Sequence, residues 1–190
     1  MARSCNMNAA AYTQEILDEL KHTLSMVKEE AAENLVEAIL HANKIFVAGG
    51  GRSGFMAKAF VMRMMHIGLD AYVVGETVTP NLESEDLFIA GSGSGETESL
   101  VSMTEKAKNI GASIAAITTN PASTIGRLAD HTIEIHAQAK ADSASGKSIQ
   151  PMGSLFEQAL LLFYDALILR VMEKSDAHSD IMYGRHANLE

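Results

Sequence analysis

Apolar residues near the start of the chain recur three and four positions apart. Ile16, Leu17, Leu20 and Leu24 share one helical face, and Leu35, Val36, Ile39 and Leu40 another, so the stretch of about 8–42 predicts helices. The period then changes. Short apolar runs at "KIFVAG", "DAYVVG", "DLFIAG", "ASIAAIT" and "HTIEIHA" read as strands, and "GFMAKAFVMRMMHIG", "ETESLVSMTEKAKNIG" and "PASTIGRLAD" between them read as helices. Strands without polar alternation, separated by helices, predict an α/β fold whose parallel sheet is covered on both faces. The α/β core is expected over about 43–175, with a tail at 176–190. No repeat or linker divides the 190 residues, so one domain is expected.

Past the polar, turn-rich segment 137–150, Pro151 precedes a long helix whose apolar residues run nearly all round it, from Leu155 and Phe156 to Val171 and Met172. One sheet face cannot cover such a helix, which points to a partner subunit; burial inside one monomer is the other reading. The 137–150 loop is long enough to serve as a lid or simply to be mobile, and its composition does not choose.

Charge and composition remove several classes. The formal net charge is −9 with Lys and Arg scattered, so no nucleic-acid surface is expected. Cys5 is the only cysteine, which excludes a disulfide framework or thiolate metal site. The N-terminus "MARSCNMNAA" lacks the apolar core of a signal peptide. Glu157, Gln158, Asp165 and Arg170 interrupt the longest apolar stretch, Leu155 to Met172, where a span wants about 20 nearly uninterrupted apolar residues. A soluble, cytoplasmic protein with no membrane contact is expected.

Two loops carry the candidate chemistry. In "IFVAGGGRSGF", Gly49, Gly51 and Gly54 have the G-x-G-x-x-G spacing of a dinucleotide fingerprint, and Glu76 follows at a distance that could suit a ribose. Against a nucleotide, Arg52 and Ser53 occupy a turn where a dinucleotide leaves little room for side chains. The second loop, "AGSGSGETESL", alternates Ser92 and Ser94 with glycines before Glu96 and Thr97 enter a helix. Glycines there admit close approach, helix-start N–H groups point outward, and hydroxyls add donors, which is phosphate-binding chemistry. A simple Ser94 N-cap is the plainer reading. Two such loops at neighbouring strand ends suit one small phosphorylated ligand.

"GGGRSGF", "SGSGET" and "PMGSLFE", in this order, resemble the sugar isomerase (SIS) domain family. "RMMH", "PMGSLFE" and the closing "RHANLE" resemble the branch that isomerises a hexulose phosphate. Gly50 and Gly91 stand where the family more often has bulkier residues, and are expected to loosen those turns. The resemblance implies a three-layer αβα sandwich with a five-stranded parallel sheet, a homotetramer, and no metal or nucleotide cofactor. It implies interconversion of D-arabino-hex-3-ulose 6-phosphate and fructose 6-phosphate, the second step of ribulose-monophosphate formaldehyde fixation.

That reaction needs a base to carry a proton between C2 and C3 through an enediol, and donors to steady the enediolate. With the resemblance, Glu157 is the expected base, although Ser154-Leu-Phe-Glu157 is also a capping-box pattern, S-x-x-E. His66 and His186 are the expected acids, His186 by way of a tail folded over a neighbouring subunit's site. Ser92, Ser94 and Thr97, with the backbone of Gly93 and Gly95, are expected to take the phosphate. Arg52 and Ser53 would contact phosphate or sugar hydroxyls, and Glu96 would join the site. His22, His41, His131, His136 and His178 show no metal spacing. An isomerase of another phosphosugar and a non-catalytic sugar-phosphate sensor are the alternatives. Sensors of the family usually carry a DNA-binding helical domain, for which the acidic first 40 residues are a poor match.

Overall fold

The computed structural model describes residues 7–137, 148–175, Met182 and 184–186. Most of the 137–150 segment and of "RHANLE" therefore lies outside the described residues. Two helices, α1 (Ala9–Ser25) and α2 (Glu29–His41), precede the alternating part. Then follow β1 (Ile45–Gly49), α3 (Arg52–Ile67), β2 (Ala71–Val73), β3 (Leu87–Gly91), α4 (Glu98–Ile110), β4 (Ser113–Thr118), α5 (Thr124–Leu128), β5 (His131–Glu134) and α6 (Ser154–Lys174).

The five strands are all parallel, in the order β2-β1-β3-β4-β5. Successive strand side chains go to opposite faces, and both faces are apolar. Ile45, Val47, Leu87, Ile89, Ala115, Ile117 and Ile133 join one buried cluster with residues of α1, α2, α3 and α6. Phe46, Ala48, Phe88, Ala90, Ile114 and Ala116 join another with residues of α4 and α5. The sandwich is thus heavier on one side, where four helices meet the sheet.

Local signals end the helices. Asn8 caps α1 by accepting from the Ala11 amide at 2.9 Å. Gly68 and Gly111 close α3 and α4 in the left-handed conformation, at φ 97° and 92°. The segment "PASTIGRLAD" yields only the five-residue α5, capped by Ser123.

Most of the apolar perimeter of α6 is covered by its own chain, through contacts with α1, α2 and α3. Leu162 and Leu169 stay exposed on it. Burial within one monomer, the second reading of this helix, accounts for most of its length. Arg170 and Lys174 tie its end to α2: Arg170 grips both oxygens of Glu33, at 2.7 and 3.1 Å, and Lys174 reaches the same carboxylate at 2.8 Å. No helix among the described residues is long and apolar enough to cross a membrane.

Candidate active site

β1 leads through α3 to β2 on one side, while β3 lies on its other side, so the strand order reverses between β1 and β3. In open α/β sheets the crevice at the carboxyl ends of two such strands is where ligands bind. Both glycine-rich loops open there. They face each other: a Cβ on Gly50 would stand 3.8 Å from the Thr97 methyl carbon.

The glycines of the first loop serve a close strand–helix approach. A Cβ on Gly49 would fall 2.7 Å from the Ser53 carbonyl oxygen, one on Gly54 2.8 Å from the Gly49 oxygen, and Gly51 has φ 55°. A dinucleotide fingerprint shares that need. What separates the two is the side chains. Arg52 Nη1 lies 3.1 Å from Glu157 Oε2 and donates to Ser154 Oγ at 2.9 Å, across to the start of α6. Glu76, the acid that a ribose would need, is held by Lys58 at 2.6 Å.

The second loop is a braced cradle. Ser92 is buried, and its Oγ accepts from the Gly95 amide at 3.2 Å and lies 3.4 Å from Thr97 Oγ1. Gly95 has φ 66°, and a Cβ there would strike Ser123 Oγ. The Gly93 carbonyl accepts three hydrogen bonds, from the Thr119 amide at 3.0 Å, Thr119 Oγ1 at 2.8 Å and Thr118 Oγ1 at 3.1 Å. The described peptides are all trans. With the Gly93 oxygen turned towards β4, the Ser94 N–H therefore points away from it. Thr97 is the N-cap position of α4 but makes no side-chain cap bond, so the amides of the first turn remain available to an anion.

Ser94 Oγ accepts from the Glu96 amide at 3.2 Å, a bond within the loop; with Thr97 as the N-cap of α4, the plainer reading of Ser94 as an N-cap is corrected. The Glu96 carboxylate accepts from the Thr124 amide at 2.7 Å. Those bonds to Thr124, with Arg127 nearby, hold its carboxyl below the usual range. It braces α5 instead of entering the crevice.

The capping box is not formed at α6. Gly153 is the N-cap without a side-chain bond, and Ser154 is already helical. Met152, at φ 56°, sets the turn that delivers Glu157 beside Arg52. Glu157 is only 2% exposed, and the neighbouring Phe156 lies under the cradle, 3.3 Å from where a Gly93 Cβ would be. Ser53 is buried in the first turn of α3. Gly91 lies within β3, not in a turn: a side chain there would meet Tyr164 Oη at 3.0 Å and Leu160 at 3.2 Å. The expectation that Gly91 loosens a turn is corrected accordingly: Gly91 makes room for α6, whereas Gly50 does lie in the bend after β1.

Arg52, Ser53, Ser92, Gly93, Ser94, Gly95, Thr97 and Glu157 thus gather at one crevice. His66 and His186 do not join them. They stack on each other, centroids 5.4 Å apart, at the far end of α3. At about 1.5 Å per residue, His66 lies roughly 21 Å along that helix from Arg52. Burial, then Arg63 and His186, hold the His66 imidazole below the usual histidine value. The bracing by Thr118, Thr119 and Ser123 was missed from sequence, although "TTN" at the end of the strand beside β3 was its signal. Among the described residues, no group of three or more His, Cys, Asp or Glu could hold a metal ion.

Fold and crevice together are those of a doubly wound α/β domain with two glycine- and hydroxyl-rich loops at its switch point. The chain belongs to the SIS domain family, which matches residues 38–162. It is 51% identical to the 3-hexulose-6-phosphate isomerase of Bacillus subtilis (strain 168), over 97% of this chain and 100% of that one. It is 39% identical to the 3-hexulose-6-phosphate isomerase of Mycobacterium gastri, over 91% of this chain and 92% of the other. A solved structure from Methanococcus jannaschii, reported to infer a 3-hexulose-6-phosphate isomerase function, superposes with TM-score 0.82 at 34% identity. That match covers 94% of this chain and 99% of that one.

Proposed function

We propose that this chain is a sugar-phosphate isomerase that interconverts D-arabino-hex-3-ulose 6-phosphate and fructose 6-phosphate. The observation that carries the reading is the buried Glu157 held beside Arg52 at the edge of a hydroxyl- and amide-lined cradle. Near-full-length similarity to two proteins of that name supports it. A sensor needs the cradle but not a buried carboxylate aimed at its rim.

In this reading the 6-phosphate sits on the α4 N-terminus, with the Ser94 amide and the hydroxyls of Ser92, Ser94 and Thr97 as donors. Arg52 and Ser53 lie where phosphate or sugar hydroxyls would be met, and Glu96 supports the loop from behind. Glu157 takes the proton from C2 and returns it at C3. The hydroxyl proton that leaves O2 is gained by O3, which shifts the carbonyl from C3 to C2. Neither metal nor nucleotide takes part.

The site is completed by a second copy, in a homotetramer. The separation along α3 keeps His66 and His186 from their own Glu157, so they act in a neighbour's crevice. Phe55, Met62 and Met65 on α3, with Leu162 and Leu169 on α6, leave exposed apolar surface for such contacts. The enzyme works in the cytoplasm, in formaldehyde fixation through ribulose monophosphate, downstream of a synthase that makes the hexulose phosphate.

A coupled assay tests this. The hexulose phosphate is generated from ribulose 5-phosphate and formaldehyde by an independent synthase, and fructose 6-phosphate is followed without added metal or nucleotide. Rapid formation that is lost in Glu157→Gln is expected. Binding of fructose 6-phosphate without any turnover would sink the isomerase and leave a sensor.

A further inference from the structure

His66 is nearly fully buried, 4% exposed, and the groups facing it come from two elements. Arg63 lies one turn back on α3, and its Nη1 is 3.4 Å from His66 Nδ1. From the tail, the His186 ring stacks on His66 with an interplanar angle of 19°. Arg185 packs against Gly68, where any Cβ would collide with its guanidinium. No described carboxylate forms an ion pair or hydrogen bond with the His66 ring.

A guanidinium is donor-only and stays charged in a protein. Opposite Arg63, His66 Nδ1 can therefore only be the acceptor, the nitrogen that bears a lone pair. In a neutral imidazole the proton then resides on Nε2. The usual partner that fixes a histidine tautomer is a carbonyl or carboxylate at Nδ1, which selects Nδ1–H; the arrangement here selects the opposite one.

We infer that Arg63 is a positioning residue that sets His66 as a neutral Nε2–H donor, and that His66 serves the reaction as a hydrogen-bond donor to the enediolate oxygen. The inference rests on the reading that His66 acts on substrate in a neighbour's crevice. The lowered proton affinity of the ring, caused by burial, Arg63 and His186, agrees with it. Charge that builds on O3 when C2 loses its proton is steadied by Nε2–H without transfer of that proton. The O2 hydroxyl proton passes to O3, Glu157 returns the carbon proton at C3, and His66 ends the turnover as it began. This refines the expected role of His66 from an acid to an electrostatic donor.

The experiment is nitrogen-15 NMR of histidine-labelled full-length protein near neutral pH, with the His66 signals assigned by their loss in His66→Asn. Wild type is expected to show Nδ1 as lone-pair nitrogen and Nε2 protonated. In Arg63→Met, which keeps the stem but removes the donor, a mixture of tautomers is expected, with kcat down by roughly tenfold, part of what a positioned donor supplies, and KM unchanged. Arg63→Lys, which restores a donor, should recover the tautomer and part of kcat. An Nδ1–H or doubly protonated ring in wild type would overturn the inference, as would an unchanged tautomer in a folded Arg63→Met. Full activity in His66→Asn would instead remove the catalytic reading of His66, and is recorded independently of the NMR result.

Discussion

Arg52, half exposed, brings its guanidinium to 3.1 Å from the buried carboxylate of Glu157. The same nitrogen donates to Ser154 Oγ, so the start of α3 and the start of α6 are joined by one side chain. In the proposed function, Arg52 also stands where a sugar phosphate would enter.

If the two residues act as a unit on bound substrate, their losses do not add. Glu157→Gln is expected to lower kcat by at least about 10²-fold, the lower range for a positioned base. Arg52→Met should mainly raise KM. The kcat/KM of the double variant is expected to be no lower than that of Glu157→Gln alone. A double variant whose kcat/KM falls by the full product of the two single losses would show that they act independently.

Thr119 acts on the cradle without touching the crevice. Its amide and hydroxyl both donate to the Gly93 carbonyl, which turns the next amide outward. Thr119→Val keeps the shape and removes one donor. A several-fold rise in KM and in the inhibition constant of inorganic phosphate is expected, from a hydrogen bond of about 1 kcal/mol, with kcat unchanged. Steady-state kinetics with phosphate as the competitor check it, and an unaltered KM would count against the bracing role.

Tyr164 is buried with its ring stacked on Phe60 at 4.1 Å, and its hydroxyl has no hydrogen-bond partner among the described residues. Burial pushes its proton affinity well up, so it stays a neutral phenol. Tyr164→Phe keeps the stack and removes the orphaned group. The variant is expected to be more stable by about 1 kcal/mol, read from its urea midpoint. A clear loss of stability would mean that the hydroxyl has a partner such as an ordered water.

Acid should loosen the link between α2 and α6. Arg170 and Lys174 hold the Glu33 carboxyl down to about 2 from the usual 4.5. The native state therefore binds fewer protons there than the unfolded chain. This contribution is fully present above pH 4.5 and is lost as pH falls towards about 2. Glu33→Gln should be less stable at neutral pH and show a flatter acid limb between those values. Parallel stability-against-pH curves for the two proteins would refute the assignment.

The parallel sheet and its helices were legible because strands buried on both faces must be apolar throughout, as Ile45–Ala48 and Leu87–Ala90 are. The two loops were legible because runs of glycine and small hydroxyl residues directly after an apolar strand mark a tight turn into a helix, and both lie at the carboxyl ends of β1 and β3. The role of the first loop's glycines was half readable. Their spacing said that something approaches closely, but only the structure shows that it is the first turn of α3 against β1. The capping box failed as a local rule because Arg52, from a distant helix, claims Ser154 Oγ.

The chain's own pattern therefore determined the fold class and the place of the two glycine-rich loops, since each depends on residues adjacent in sequence or on a period along one element; Glu157 was singled out only through the family resemblance of "PMGSLFE". Tertiary structure alone decided what those residues face. It set Arg52 on Glu157, sent Glu96 to Thr124, and placed Thr119 behind Gly93. It also carried His66 to the far end of α3, because a helix following β1 must run back towards the amino ends of the strands. Direction along a helix is a consequence of packing on the sheet, and no spacing in the sequence records it.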